Sequence, residues 1–178
     1  MSWFDRGFRG ATCVAVVALA ASTLSGCIQP MYGPLSSNPQ LVDELQAIEV
    51  APIKERLGHY VRNELIFAFN GTGSQVSPRY RLTVALKETA RTPIIDTVTS
   101  RATSATVVVD AEYRLVTVPG DKEVTKGIAF NIASYDRFSS RLTNVRAARD
   151  AETRDAKTIA DEIRTRIATA LSSRTPSP

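Results

Sequence analysis

Residues 102–135 limit most strongly what this chain can fold into. In "ATSATVVVDAEYRLVTV", Ala105, Val107, Val109, Ala111, Tyr113 and Leu115 recur at every second position, with Asp110, Glu112 and Arg114 between them. A period of two over that length predicts a long strand with one covered face and one wet face. "PGDK" follows as a tight turn. "EVTKGIAFNIASY" then reads as the hairpin partner, with Val124, Ile128, Phe130 and Ile132 in register on one face. Gly127 is expected to mark a bulge or a close approach.

A sheet with one apolar face needs something to cover it. "RYRLTVALK" supplies a further alternating strand, with Tyr80, Leu82, Val84 and Leu86 facing one way and Arg79, Arg81, Thr83 and Lys87 the other. "LQAIEVAPI" predicts a short strand through Ile48 and Val50 that stops at Pro52. Two helical patterns can provide the cover. In "KERLGHYVRNELIFAFNGTG", Leu57, Val61, Leu65 and Ala68 make a stripe, although Gly58 weakens that helix by about 1 kcal/mol relative to alanine. "NVRAARDAETRDAKTIADEIRTRIATALSS" predicts a long helix with Ala156, Ile159, Ala160, Ile163, Ile167 and Leu171 on one side. Asp150 with Arg154 and Glu162 with Arg166 have the i,i+4 spacing of favourable pairs. The segment 89–101 is ambiguous, and Pro93 argues for an edge or a loop. The expected fold is therefore α+β: a two-layer sandwich of two helices on a mostly antiparallel four-stranded sheet.

The N-terminus reads differently. Arg6 and Arg9 precede the apolar run "ATCVAVVALAASTL", and small residues follow in "LSGC". This is the layout of a secretory signal peptide, and the apolar run is short for a membrane-spanning helix, which needs about 20 residues. "LSGC" is similar to a bacterial lipobox, in which the chain is cut before the cysteine and lipid is attached to its thiol. Residues 1–26 are then a lipoprotein signal peptide and Cys27 the lipidation site. Residues 27–43, with Pro30, Pro34 and Pro39, are a flexible tether. Residues 44–173 form the domain, and 174–178 a disordered tail. Of the two cysteines, Cys13 falls in the removed segment, so no disulfide is expected. In lipoproteins of this kind an aspartate after the cysteine favours the inner membrane. Ile28 in that place points to the outer membrane.

Little in the chain suggests catalysis. His59 is the sole histidine and falls on a predicted helix, where a partly exposed structural role outweighs that of a general base. The carboxylates show no metal-ligand or acid/base spacing, and neither metal nor cofactor is expected. "GTGS" lacks the lysine and the following helix of a phosphate loop. The formal net charge of +4 is mild. It suits an anionic partner, but a secreted chain with no reader motif is not expected to meet nucleic acid.

Taken together, "GCIQPMYG", "IEVAPIKERLGHYVRNEL", "YRLTVAL" and "DAETRDAKTIADEIRTRI" resemble, in order and spacing, the lipopolysaccharide-assembly lipoprotein family LptE. The departures are Ile28–Gln29 where the family has Gly-Phe, and His59 where glutamine is common. The resemblance implies a non-enzymatic outer-membrane lipoprotein that plugs and helps assemble the barrel protein LptD. It also implies assistance to lipopolysaccharide insertion into the outer leaflet. Some members bind lipopolysaccharide through basic residues. Arg79, Arg81, Arg101, Arg114 and Lys122 are candidates for that contact by charge and predicted position. The competing expectations are an auxiliary lipoprotein of a lipid-transport ABC system and, more remotely, a small secreted hydrolase.

Overall fold

A computed structural model describes residues 39–71, 76–91 and 103–174. Cys27, Arg101, the signal-peptide segment and most of the expected tether lie outside the described residues. The chain divides into a unit Met1–Val42 and a compact unit Asp43–Pro178, which carries the sheet. In chain order the elements are α1 (Pro39–Gln46), β1 (Ile48–Val50), α2 (Glu55–Asn70), β2 (Tyr80–Arg91), β3 (Ser104–Thr117), β4 (Glu123–Asp136) and α3 (Arg141–Ser172). The α1 helix occupies the end of the expected tether. Pro39 is its first residue, a position where the missing N–H costs nothing, and the seven residues after it contain no glycine or proline.

The strands lie in the order β1-β2-β3-β4. β1 runs parallel to β2, with α2 as the crossover between them, and the other pairs are antiparallel. Helices α2 and α3 pack against each other and on one face of the sheet, α3 over β4 and β3 and α2 beside β1. This is the expected α+β sandwich with one short helix added. β3 shows why its alternation was so legible. Ala105, Val107, Val109, Ala111, Tyr113 and Leu115 are all buried beneath the helices. The stripe of α3 is buried as expected from Ala156 to Leu171. The stripe of α2 is Leu57, Val61, Leu65 and Phe69, a strict i,i+4 row, with Ala68 only half-buried.

Two glycines hold layers close together. Gly58 is buried, and a Cβ there would stand 2.8 Å from Ile53 Cγ2 and 3.0 Å from the Ile53 carbonyl oxygen. The turn after β1 lies directly on the helix at this point, and that contact accounts for a residue of poor helix propensity. Gly127 sits opposite Tyr113 in the ladder, and a Cβ there would meet the tyrosine hydroxyl at 2.8 Å. It marks the close approach; the bulge lies elsewhere.

That bulge decides which way the apolar residues of β4 face. Val116 pairs with Glu123 and Leu115 with Thr125, which leaves Val124 as an extra residue in the register. An uninterrupted ladder from the turn would have set Ile128, Phe130 and Ile132 opposite Ala111, Val109 and Val107, on the covered face. A slip of one residue exchanges the faces. Ile128 instead pairs with Glu112, Phe130 with Asp110 and Ile132 with Val108. These three side chains are 59, 51 and 51% exposed. The helix-facing residues of β4 are Gly127, Ala129, Asn131 and Ala133, a low surface on which a helix can lie close. α3 also caps the free edge of this strand. Arg166 donates to the Ile128 carbonyl at 2.6 Å, Glu162 accepts from the Phe130 amide at 3.4 Å, and Arg154 donates to the Ser134 carbonyl at 3.3 Å. Occupied edge groups are poor templates for unwanted strand pairing.

Candidate functional site

With both long helices on one side, the other face of the sheet stands open. Pairing register places Glu49 of β1, Arg81, Thr83 and Lys87 of β2, Val108, Asp110, Glu112 and Arg114 of β3, and Lys126, Ile128, Phe130 and Ile132 of β4 on it. It has two zones. Ile128, Phe130 and Ile132 form an apolar strip along β4, continued inward by the half-buried Val108. The end nearest the β3–β4 turn is charged. There Arg81 meets Glu49 at 3.4 Å, and Glu123 meets both Arg114 at 2.9 Å and Lys126 at 3.4 Å. Partial desolvation of the Glu123 carboxyl is outweighed by the hydrogen bonds from Arg114 and Lys126, which hold it below the usual carboxylate range.

The described members of the sequence-chosen basic set gather at this same end. Arg81 and Arg114 share the open face on neighbouring strands. Arg79 precedes β2, where its amide donates to the Ala47 carbonyl at 2.9 Å and its carbonyl accepts from the Val118 amide at 2.8 Å. Lys122 lies in the exposed turn between β3 and β4. Alternation could place these cations on one side. It could not show that Arg81 and Arg114 already have carboxylate partners contributed by other strands. His59 is exposed on α2, as expected of a structural helix histidine. Among the described residues no group of three or more histidine, cysteine, aspartate or glutamate side chains is arranged to hold a metal.

A second polar group lies under the helices, where sequence reasoning did not look. Arg56 at the start of α2 donates to Glu152 of α3 through two nitrogens, at 2.9 and 2.5 Å. The Glu152 side chain is only 5% exposed. One turn further on, Asp155 is fully buried and accepts from Asn131 Nδ2 at 2.6 Å, with its other oxygen unpartnered. The only sequence sign was that the apolar stripe of α3, followed backwards from Ile159, runs into these two acids. Burial pushes the Asp155 carboxyl up, against the Asn131 hydrogen bond and the nearby Arg154 charge. Burial likewise raises Glu88, helped by the charge of Glu152. Glu88 lies on an open cleft of about 360 Å³ between the turn at Ile53 and β2.

A raised carboxyl means that the folded state keeps a proton which the unfolded chain gives up. The contribution of Asp155 to stability is therefore full below the unfolded value of roughly 3.9 and is lost as pH rises through its higher folded value. Urea midpoints of the native chain are expected to fall with pH across that interval. In Asp155→Asn, which keeps an acceptor for Asn131, the fall should be shallower. Equal slopes would remove Asp155 from the account.

The fold is a helix-backed sheet with one bare face of mixed apolar and charged character. Comparison with known proteins gives that fold a family. Residues 45–167 match the family model LptE, described as lipopolysaccharide-assembly. The chain belongs to the LptE lipopolysaccharide-assembly family. Among solved structures it is similar to a candidate lipoprotein from Caulobacter crescentus CB15, with a TM-score of 0.65 and 20% identity over 78% of this chain and 100% of that one. It is also similar to the rare lipoprotein B from Shewanella oneidensis, with a TM-score of 0.53 and 13% identity over 71% of this chain and 96% of that one. At these identities the two structures speak for the fold, which they share with this domain. No curated protein matches the sequence. The family is the one that the sequence resembles, and its role in assembly accords with the non-enzymatic part expected of the chain.

Proposed function

We propose that this protein is an outer-membrane lipoprotein, lipidated at Cys27, whose α+β domain plugs the LptD barrel, helps it assemble and assists lipopolysaccharide insertion into the outer leaflet. The observation that carries this reading is the open face of the sheet in a member of a lipopolysaccharide-assembly family. A face with Ile128, Phe130 and Ile132 half or more exposed beside a rim of ion pairs has the mixed character of a protein interface, apolar at its centre and polar at its margin. The lumen wall of a barrel is polar, and it would meet Arg81, Lys87 and Arg114 as well as the strip. Arg79, Arg81, Arg114 and Lys122, with Arg101, stay the proposed contacts for lipopolysaccharide phosphates. Charge-assisted hydrogen bonds to phosphate are the interaction they would make.

Two acyl signals are needed for stable anchoring, because one chain alone gives only marginal membrane binding. Diacylglyceryl attachment at the Cys27 thiol, followed by acylation of the freed amine, would supply them. The test is purification of the tagged full chain from gently solubilised outer membranes. A large barrel protein should co-purify in near-stoichiometric amount. Cys27→Ala should lose incorporation of labelled fatty acid and leave the barrel fraction. Recovery of free monomer alone from the native chain would overturn the barrel partner. Recovery with inner-membrane transport components would favour the ABC-system alternative. Persistent labelling of Cys27→Ala would overturn the anchor.

A further inference from the structure

We infer that the first turns of α3, together with Phe138 ahead of them, form an arm that docks on an anionic phospholipid surface, a contact separate from the open face of the sheet. Hydrogen bonds from Arg154 to Ser134 and from Arg166 to Ile128 set α3 antiparallel to β4. β4 ends at Asp136, yet α3 begins at Arg141. Residues 141–153 therefore run about 20 Å beyond the level of Ser134, at 1.5 Å per residue. No residue from 141 to 150 is buried, and the first buried residue of α3 is Ala151. This stretch of helix is not held in place by a core.

Its composition is one-sided. Phe138, Leu142 and Val145 are 59, 62 and 41% exposed; Leu142 and Val145, three residues apart, share one side of the helix, and Phe138 stands just ahead of it. Arg146 and Arg149 fall on that same side at 3.6 residues per turn, and Arg141 lies at its margin. From Arg137 to Arg149 there are four arginines and no acid. Among the described residues none of the four is in an ion pair, whereas Arg81, Arg114 and Lys126 each meet a carboxylate. The first turn of α3 also lacks an acid, so Arg141 stands at the positive end of the helix dipole, where a cation is unfavourable. The arm thus breaks a local rule without a compensating ion pair among the described residues, as functional segments do. Its geometry is nevertheless well defined. Ser140 Oγ accepts from the Thr143 amide at 3.4 Å. Asn144 accepts from the Phe138 amide at 2.7 Å and donates to the Phe138 carbonyl at 2.8 Å, which fixes the backbone of Phe138 at the head of the helix.

An anionic bilayer surface answers both halves of this face. Phe138, Leu142 and Val145 can enter the boundary between headgroups and acyl chains, while the arginines reach the phosphates at that level. The test is backbone hydrogen exchange of the full chain reconstituted into vesicles of phosphatidylcholine, with or without phosphatidylglycerol. Exchange over residues 138–149 should slow by about tenfold when phosphatidylglycerol is present and recover in high salt, as expected for several basic residues near a charged surface. Arg146→Glu with Arg149→Glu should abolish the slowing and leave exchange over residues 151–171 unchanged, since both positions are exposed. Equal exchange on the two vesicle types would overturn the inference. So would protection that appears only when solubilised envelope proteins are added, which would make the partner an acidic protein groove.

Discussion

Replacing Ala129 by aspartate is expected to unfold the domain, whereas Phe130→Ser should leave its stability within about 1 kcal/mol of native. The contrast runs against hydrophobicity and follows from facing. Ala129 has no exposed surface and pairs with Ala111, also fully buried, under α3. A carboxylate there would be desolvated beneath α3, and a buried charge without a built partner costs roughly 3–5 kcal/mol or more. The larger side chain would also force α3 away from the sheet. Against a usual stability of about 5–15 kcal/mol, that is enough to depopulate the native state. Phe130 already gives half of its surface to water, so truncation removes little burial. Urea denaturation of the two variants decides the matter. If Phe130→Ser unfolds the chain and Ala129→Asp is tolerated, the helices lie on the opposite face and the open face described here does not exist.

The same pair of residues shows where the fold could be read from sequence. On β3, alternation settles everything, because a strand with paired neighbours on both sides and helices on one face must bury one parity. On β4, alternation shows that Ile128, Phe130 and Ile132 share a side, but not which side. That depends on the count of residues back to the turn, and Val124 changes the count by one. No pattern marks that residue as a bulge. Alanine adds to the difficulty. Ala129 and Ala133 carry little apolar surface, yet they are what a closely packed helix requires, so the weaker pattern identifies the core. The open face is in turn more apolar than sequence reasoning expected. Its cations were found by charge and parity. Their neutralisation by Glu49 and Glu123 depends on strand register, which only the fold supplies. The arginines ahead of Ala151 fall within the same predicted helix as its apolar stripe. That they stand clear of the sheet appears only when β4 is seen to end before them.

Arg56→Met should cost about 2 kcal/mol at neutral pH, and the loss should shrink as pH falls. Glu152 is nearly buried and receives both of its hydrogen bonds from Arg56. Removing one partner of a buried pair commonly costs about 3–5 kcal/mol. Here the guanidinium is 57% exposed, so solvent screens part of the interaction and the smaller figure is appropriate. The hydrogen bond and the charge of Glu152 together raise the Arg56 pKa, so the cation is present at every pH of interest. Its removal leaves Glu88, Glu152 and Asp155 as neighbouring acids with less positive charge among them. Glu88 already titrates above the usual carboxylate range through burial and the Glu152 charge, and Arg56 is what lowers it. In the variant the folded state should therefore take up protons more readily than the unfolded chain. Stability is then regained as pH falls towards the carboxylate range. A second change, Glu152→Met, removes the orphaned charge and should restore most of the loss at neutral pH, because an apolar pair of similar size often replaces a buried ion pair without cost. Urea midpoints for the two single variants and the double variant, at neutral and mildly acidic pH, test the pairing. If Arg56→Met is as stable as the native chain at both pH values, Glu152 is carried by solvent rather than by Arg56, and the ion pair adds nothing to the packing of α2 on α3.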